Sequence, residues 1–140
     1  MHYFVRDRAL YVTNWRAAPA KGHPGTLMRR RAVEVRYPET GPQSQLGEDL
    51  AVALQIQQQH RFQTLTGAPY LYVYVNHGAN SWSDAHHRML TDRLGLSKGL
   101  LRRQESELRA GLAPFDFGQQ DVTIKGPDED AFILSARRNV

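Results

Sequence analysis

Four side chains suited to chemistry stand close together in this chain: His77, Asp84, His86 and His87. Imidazole and carboxylate are good ligands for zinc and other divalent ions. His86 and His87 are adjacent, so on a helix they point about 100° apart and do not easily share one ion. A metal site would need His77 from the preceding loop with Asp84 or His87, and the chemistry it implies is metal-dependent hydrolysis. The competing reading makes all of them surface or capping residues. No HExxH or HxH spacing, GxSxG elbow, Walker loop or GxGxxG occurs. Ser81 and Ser83 have histidines nearby only in sequence, which makes no triad. Enzymatic activity is therefore not indicated, and no cofactor is expected.

The second chemistry is cationic. Fifteen of the eighteen cations are Arg, and the formal net charge is +4. Residues 1–40 hold eight cations against three carboxylates, and the remainder holds ten against eleven. Such a basic segment suits a polyanion. Arg29, Arg30 and Arg31 stand in a row, and each guanidinium presents a planar donor fork that matches phosphate. The bland reading is a solvated surface, or a strand edge protected by charge.

These groups must be positioned by a single α+β domain of 140 residues, long enough for one core. His2–Val5 and Leu10–Thr13 are β-prone runs that read as a hairpin. Asn14 to Thr26, with Pro19, Gly22, Pro24 and Gly25, is a loop with a mobile tip. Residues 32–37 alternate apolar and charged side chains, which predicts a third strand and so an N-terminal β meander over residues 1–43. Ser44 caps a helix over 45–65 with Leu46, Leu50, Ala53 and Leu54 inward. Residues 70–75 alternate Tyr with Leu or Val and predict a strand whose aliphatic face enters the core.

Residues 81–112 read as two helices joined by a short turn. Ser81 and Asp84 have the form of a capping box. Trp82, Ala85, Met89, Leu90 and Leu94 recur at helical spacing and predict the buried stripe. Gly95 is the expected left-handed cap of the first helix, and Ser97 the N-cap of the second, over 98–110. Residues 121–125, the turn Gly126–Asp130 and residues 131–136 predict a final hairpin.

The segment 90–101, LTDRLGLSKGLL, resembles the helix-turn-helix of DNA-binding regulators. Leu90, the small Thr91, Leu94, Gly95, Leu96 and Leu101 fall where that family places core, small, core, glycine, core and core. Gln104 stands where an apolar residue is usual. The element order from residue 44 onward is similar to that of a winged helix, with residues 44–140 as its core. The resemblance implies DNA as the partner, read by helix 98–110 through Lys98, Arg102, Gln104 and Glu105. Arg29, Arg30, Arg31, Arg88 and Arg103 would serve as further nucleic-acid contacts. The wing would be GPDED, whose three carboxylates repel phosphate. The alternative partner is a protein, gripped by exposed aromatics and arginines. Such regulators often bind as homodimers, although no coiled-coil seam is visible. No signal peptide or membrane span is evident, so a cytoplasmic location is expected. Cysteine is absent, which removes disulfides and thiolate chemistry.

Overall fold

The computed structural model describes residues 1–136; residues 137–140 lie outside the described part. The fold is α+β. It divides into two compact units, one made of Met1–Asn14 with the chain from Thr66 on, the other of Trp15–Leu65. This does not follow the expected division at residues 43 and 44. The first hairpin belongs with the later strands, and the helix after residue 44 belongs with the loops before it.

In the first unit, β1 (His2–Phe4) and β2 (Ala9–Tyr11) form the expected hairpin, with Tyr3 opposite Leu10. Its turn holds Arg8 at φ 51, an uncommon backbone for a residue other than glycine. The Arg8 guanidinium compensates by donating to the Tyr3 hydroxyl at 2.6 Å and to the Gln120 carbonyl. The sheet continues with β3 (Tyr74–Asn76), β4 (Val122–Lys125) and β5 (Asp130–Leu134) in the order β3-β1-β2-β4-β5. β3 lies parallel to β1 and β4 parallel to β2, while β4 and β5 form an antiparallel hairpin closed by Gly126 N–H donating to the Glu129 carbonyl.

This order departs from the expected winged-helix core. There the strand between the helices would join the wing hairpin, whereas here β1 and β2 stand between β3 and β4. The strand expected over 70–75 also shrinks. Pro69–Leu71 is a tight 3-10 turn and only Tyr74–Asn76 pairs. Its faces are reversed: Asn76 is buried and Val75 exposed.

Helices α2 (Asp84–Leu94), α3 (Lys98–Arg103) and α4 (Glu105–Leu112) complete this unit. Its core joins Leu10, Val12, Val122, Ile124 and Phe132 from the sheet with Leu101, Leu108 and Leu112 from α3 and α4. The helix turn is stitched to the chain beyond β2. Asn14 N–H donates to the Leu94 carbonyl, Leu96 N–H donates to the Val12 carbonyl, and Gly95 bridges Thr13. Gly95 therefore has φ −64 and ψ 139, an extended backbone instead of the expected left-handed cap.

In the second unit, α1 (Glu48–Gln59) begins after Gly47, whose φ of 84 suits glycine. It is shorter than the expected 45–65. Ser44 closes a 3-10 turn by donating to the Gly41 carbonyl, and His60 is extended. Val52, Ala53 and Ile56 face inward, while Leu46 and Leu50 are exposed. Val35 packs on Val52 and Ile56, with Leu27, Val33 and Phe62 around them. Residues 32–37 form no strand. The alternation there buries Val35 against a helix and finds no neighbouring chain to pair with, so the expected meander stops at two strands. Among the described residues, no helix is long and apolar enough to cross a membrane.

Candidate nucleic-acid interface

The expected recognition helix is two helices. At Gln104 the backbone turns to φ −100 and ψ 8, and α3 ends after six residues. The break follows from what each piece must bury: Leu101 goes inward on α3, and Leu108 and Leu112 on α4. Gln104 is the joint between them, and its N–H is shared by the Leu100 and Leu101 carbonyls.

In the first unit, three of the four cations expected at the interface, Arg88, Lys98 and Arg102, already hold a carboxylate. Arg88 bridges Asp84 and Asp7, each at 2.7 Å, and lies 5.1 Å over the Phe4 ring. Its pKa is raised, chiefly by the hydrogen bond to Asp7, then by that to Asp84. The Arg88 bond likewise holds the Asp84 carboxyl below its usual range. Lys98 pairs with Glu129 at 2.6 Å. Glu105 receives Arg109 at 2.7 Å and Arg102 at 3.0 Å, and the Arg109 bond first, then Arg102, lowers its pKa. Lys125 pairs with Asp130 at 2.9 Å. Two of the three carboxylates in the GPDED turn are thus matched from within, so the turn is less repulsive than its sequence implies. Arg103 is exposed and makes no ion pair among the described residues.

These pairs are half exposed, so each contributes little. Replacing Arg102 by Ala is expected to change stability by at most about 1 kcal/mol, because it removes one exposed pair. Urea unfolding checks this, and a loss above about 2 kcal/mol would show that Arg102 is a structural anchor.

The second unit differs. It carries seven cations against four carboxylates. Arg29, Arg30 and Arg31 are exposed on irregular backbone just before Val33 and the Val35 cluster. Arg29 donates to the Val33 carbonyl, which fixes the local turn. Arg30 and Arg31 make no ion pair among the described residues. Met28, immediately before them, is 91 % exposed.

No family model matches the chain, and neither a curated protein nor a solved structure matches it.

The proposed metal ligands do not converge. His77 is exposed and its Nδ1 accepts from Ala79 N–H. Asp84 is occupied by Arg88 and Asn76. His87 points the other way, into the first unit. Among the described residues, no three ligating side chains form a metal site. Ser83 is the helix cap in place of Ser81, its hydroxyl accepting from His86 N–H at 3.2 Å.

What the sequence reading missed is the group His87 joins. The ring of His2 lies 5.3 Å from that of Tyr74 and 5.9 Å from that of His87. His2 is a lone histidine in a β-prone run, with nothing nearby to mark it. The available signal was the spacing of Ser83, His87 and Thr91, a polar stripe on a helix whose apolar stripe looked sufficient.

Proposed function

We propose that the chain binds nucleic acid, duplex DNA in the first instance, through phosphate contacts made by Arg29, Arg30 and Arg31. The observation that carries this reading is the contrast in cation pairing. Arg88, Lys98, Arg102, Arg109 and Lys125 each hold a carboxylate, whereas Arg30 and Arg31 stand exposed without one. Unpaired guanidinium groups on flexible-sided, exposed chain are the ones free to neutralise phosphates and release counterions. Binding of this kind positions a protein on DNA without reading bases. Helix α3 is not assigned the reading role, because it is short, ends at Gln104 and has Lys98 and Arg102 held by carboxylates.

The test is affinity for duplex DNA at several salt concentrations, wild type against the Arg29/Arg30/Arg31→Ala triple variant. Each lost phosphate contact lowers the slope of log affinity against log salt by about 0.9, so the triple variant should lose about 2.7. The loss should be nearly uniform across DNA sequences. An unchanged slope would remove the segment from any DNA interface.

A second reading rests on Met28 and Tyr37, exposed on either side of the arginines. Met, Tyr and Arg are enriched where proteins meet. In that case the triple variant leaves DNA affinity unaffected and weakens one defined protein complex, mainly through faster dissociation.

A further inference from the structure

Helix α2 docks with its polar stripe inward. His87 is 2 % exposed and Thr91 is also buried, while Trp82 and Met89 face solvent. The expected burial is inverted. Trp82 spends its ring on His86, stacked at 4.2 Å and 19°.

The His87 imidazole is held in a box of rings. Tyr74 of β3 lies 5.0 Å away, His86 lies 5.8 Å away, and His2 of β1, 1 % exposed, lies 5.9 Å away. Neither His87 nitrogen meets a protein partner at hydrogen-bond geometry among the described residues. A buried imidazole that meets nothing firmer than the Trp82 backbone is tolerated far better neutral than charged. The charged groups nearby offer a proton little compensation. On α2, Asp84 is already held by Arg88 and Asn76, and Arg88 also engages Asp7 from the β1–β2 turn. Arg6 from the same turn acts on Asp84 as a second cation. Just before β1, the Met1 ammonium donates to the Tyr72 carbonyl at 2.9 Å.

We infer that this box is an acid-sensitive latch, in which a proton on His87 undocks α2 from β1 and β3. Burial first, then the neighbouring His86, lowers the His87 pKa; Asp84 and a smaller contribution from the Trp82 backbone act the other way. The sign follows. The undocked helix takes up the proton near the ordinary histidine pKa of about 6.5, and the docked helix only at lower pH. Docking is therefore complete above that range and weakens as pH falls through it. Release breaks the Arg88 bridge to Asp7, which joins α2 to the first hairpin.

Hydrogen exchange of the 84–94 amides between pH 7.5 and 5, corrected for intrinsic chemistry, tests this on the full chain. The opening constant should rise by up to about tenfold per pH unit below about 6.5. His87→Phe keeps a ring in the box without a titrating group and should abolish the rise. Protection that is constant with pH in the wild type overturns the latch. So does an unchanged rise in His87→Phe, which would assign the effect to another group. The Met1 amine, whose pKa burial lowers to about 6, is one such group. If His87→Phe does not fold, the imidazole resonance of His87 in the wild type decides. A midpoint below 6.5, with the α2 amides shifting alongside it, supports the latch; a midpoint at or above 6.5 overturns it.

Discussion

Leu101→Ala lowers stability by about 2–5 kcal/mol, the range for truncating a fully enclosed leucine. Leu101 is 0 % exposed. It projects from α3 into the cluster of Leu10, Val12, Ile124 and Phe132, so it ties the short helix to the centre of the sheet. Removing its isobutyl group loses both the transfer free energy and the contacts of the walls left behind. For a chain of this size the melting temperature should fall on the order of 10 °C. The adjacent Leu100 is exposed, and Leu100→Ala should cost less than about 1 kcal/mol. Fluorescence of Trp82, in a Trp15→Phe background, follows the first unit during unfolding. If the two variants melt alike, α3 is not anchored through Leu101, and its role as scaffold fails.

Gly95→Val is the second large effect, expected at about 1–3 kcal/mol or somewhat more. Backbone conformation is not the reason, since φ −64 is open to any residue. Space is. A Cβ at Gly95 would fall inside contact distance of the Thr91 carbonyl oxygen and 3.1 Å from Pro127 Cγ. That carbonyl accepts the Gly95 N–H, and the flanking residues Leu94 and Leu96 are bonded to residues 14 and 12, so the backbone has little room to retreat. Gly95→Ala should already show part of the loss. Equal melting temperatures for wild type and Gly95→Ala would mean that the helix turn stands clear of both the Thr91 carbonyl and Pro127.

Local signals in the sequence were legible where one short stretch decides the structure. The hairpin around Arg8, the paired helices on either side of Gly95 and the turn at Gly126 depend on residues within a few positions of one another. Gly95 was identified as indispensable for the wrong reason, because what a side chain there would meet is the Thr91 carbonyl oxygen and Pro127, and its own backbone is not left-handed. The sheet order was not legible, since β1 with β3 and β2 with β4 pair across long stretches of sequence. Residues 32–37 have a strand's alternation but no partner strand, and alternation alone does not supply one. In α2, the apolar stripe of Trp82, Ala85 and Met89 predicted the inward face. The structure instead aims His87 at His2 and Tyr74, which no periodicity could reveal. The charge pattern at the candidate interface was partly readable. Glu105 follows Arg102 by three residues and precedes Arg109 by four, the spacings at which helix side chains pair. The Lys98–Glu129 pair crosses from α3 to the final hairpin and was hidden for that reason.

The position of the first hairpin in the middle of the sheet sets an order of events during synthesis. Residue 9 must find residue 123, more than a hundred positions later. At about 5–20 residues per second, the delay is on the order of ten seconds. Through that interval β1 and β2 lack the neighbours that will cover their outer backbone edges, and unpaired edges are what other chains pair with. Residues 15–65 have no such wait, because their own cluster closes over a short stretch. A nascent chain would therefore carry a settled insert while its sheet still lacks its flanks, and holdase chaperones that shield strand edges should matter more for this protein than its modest length suggests.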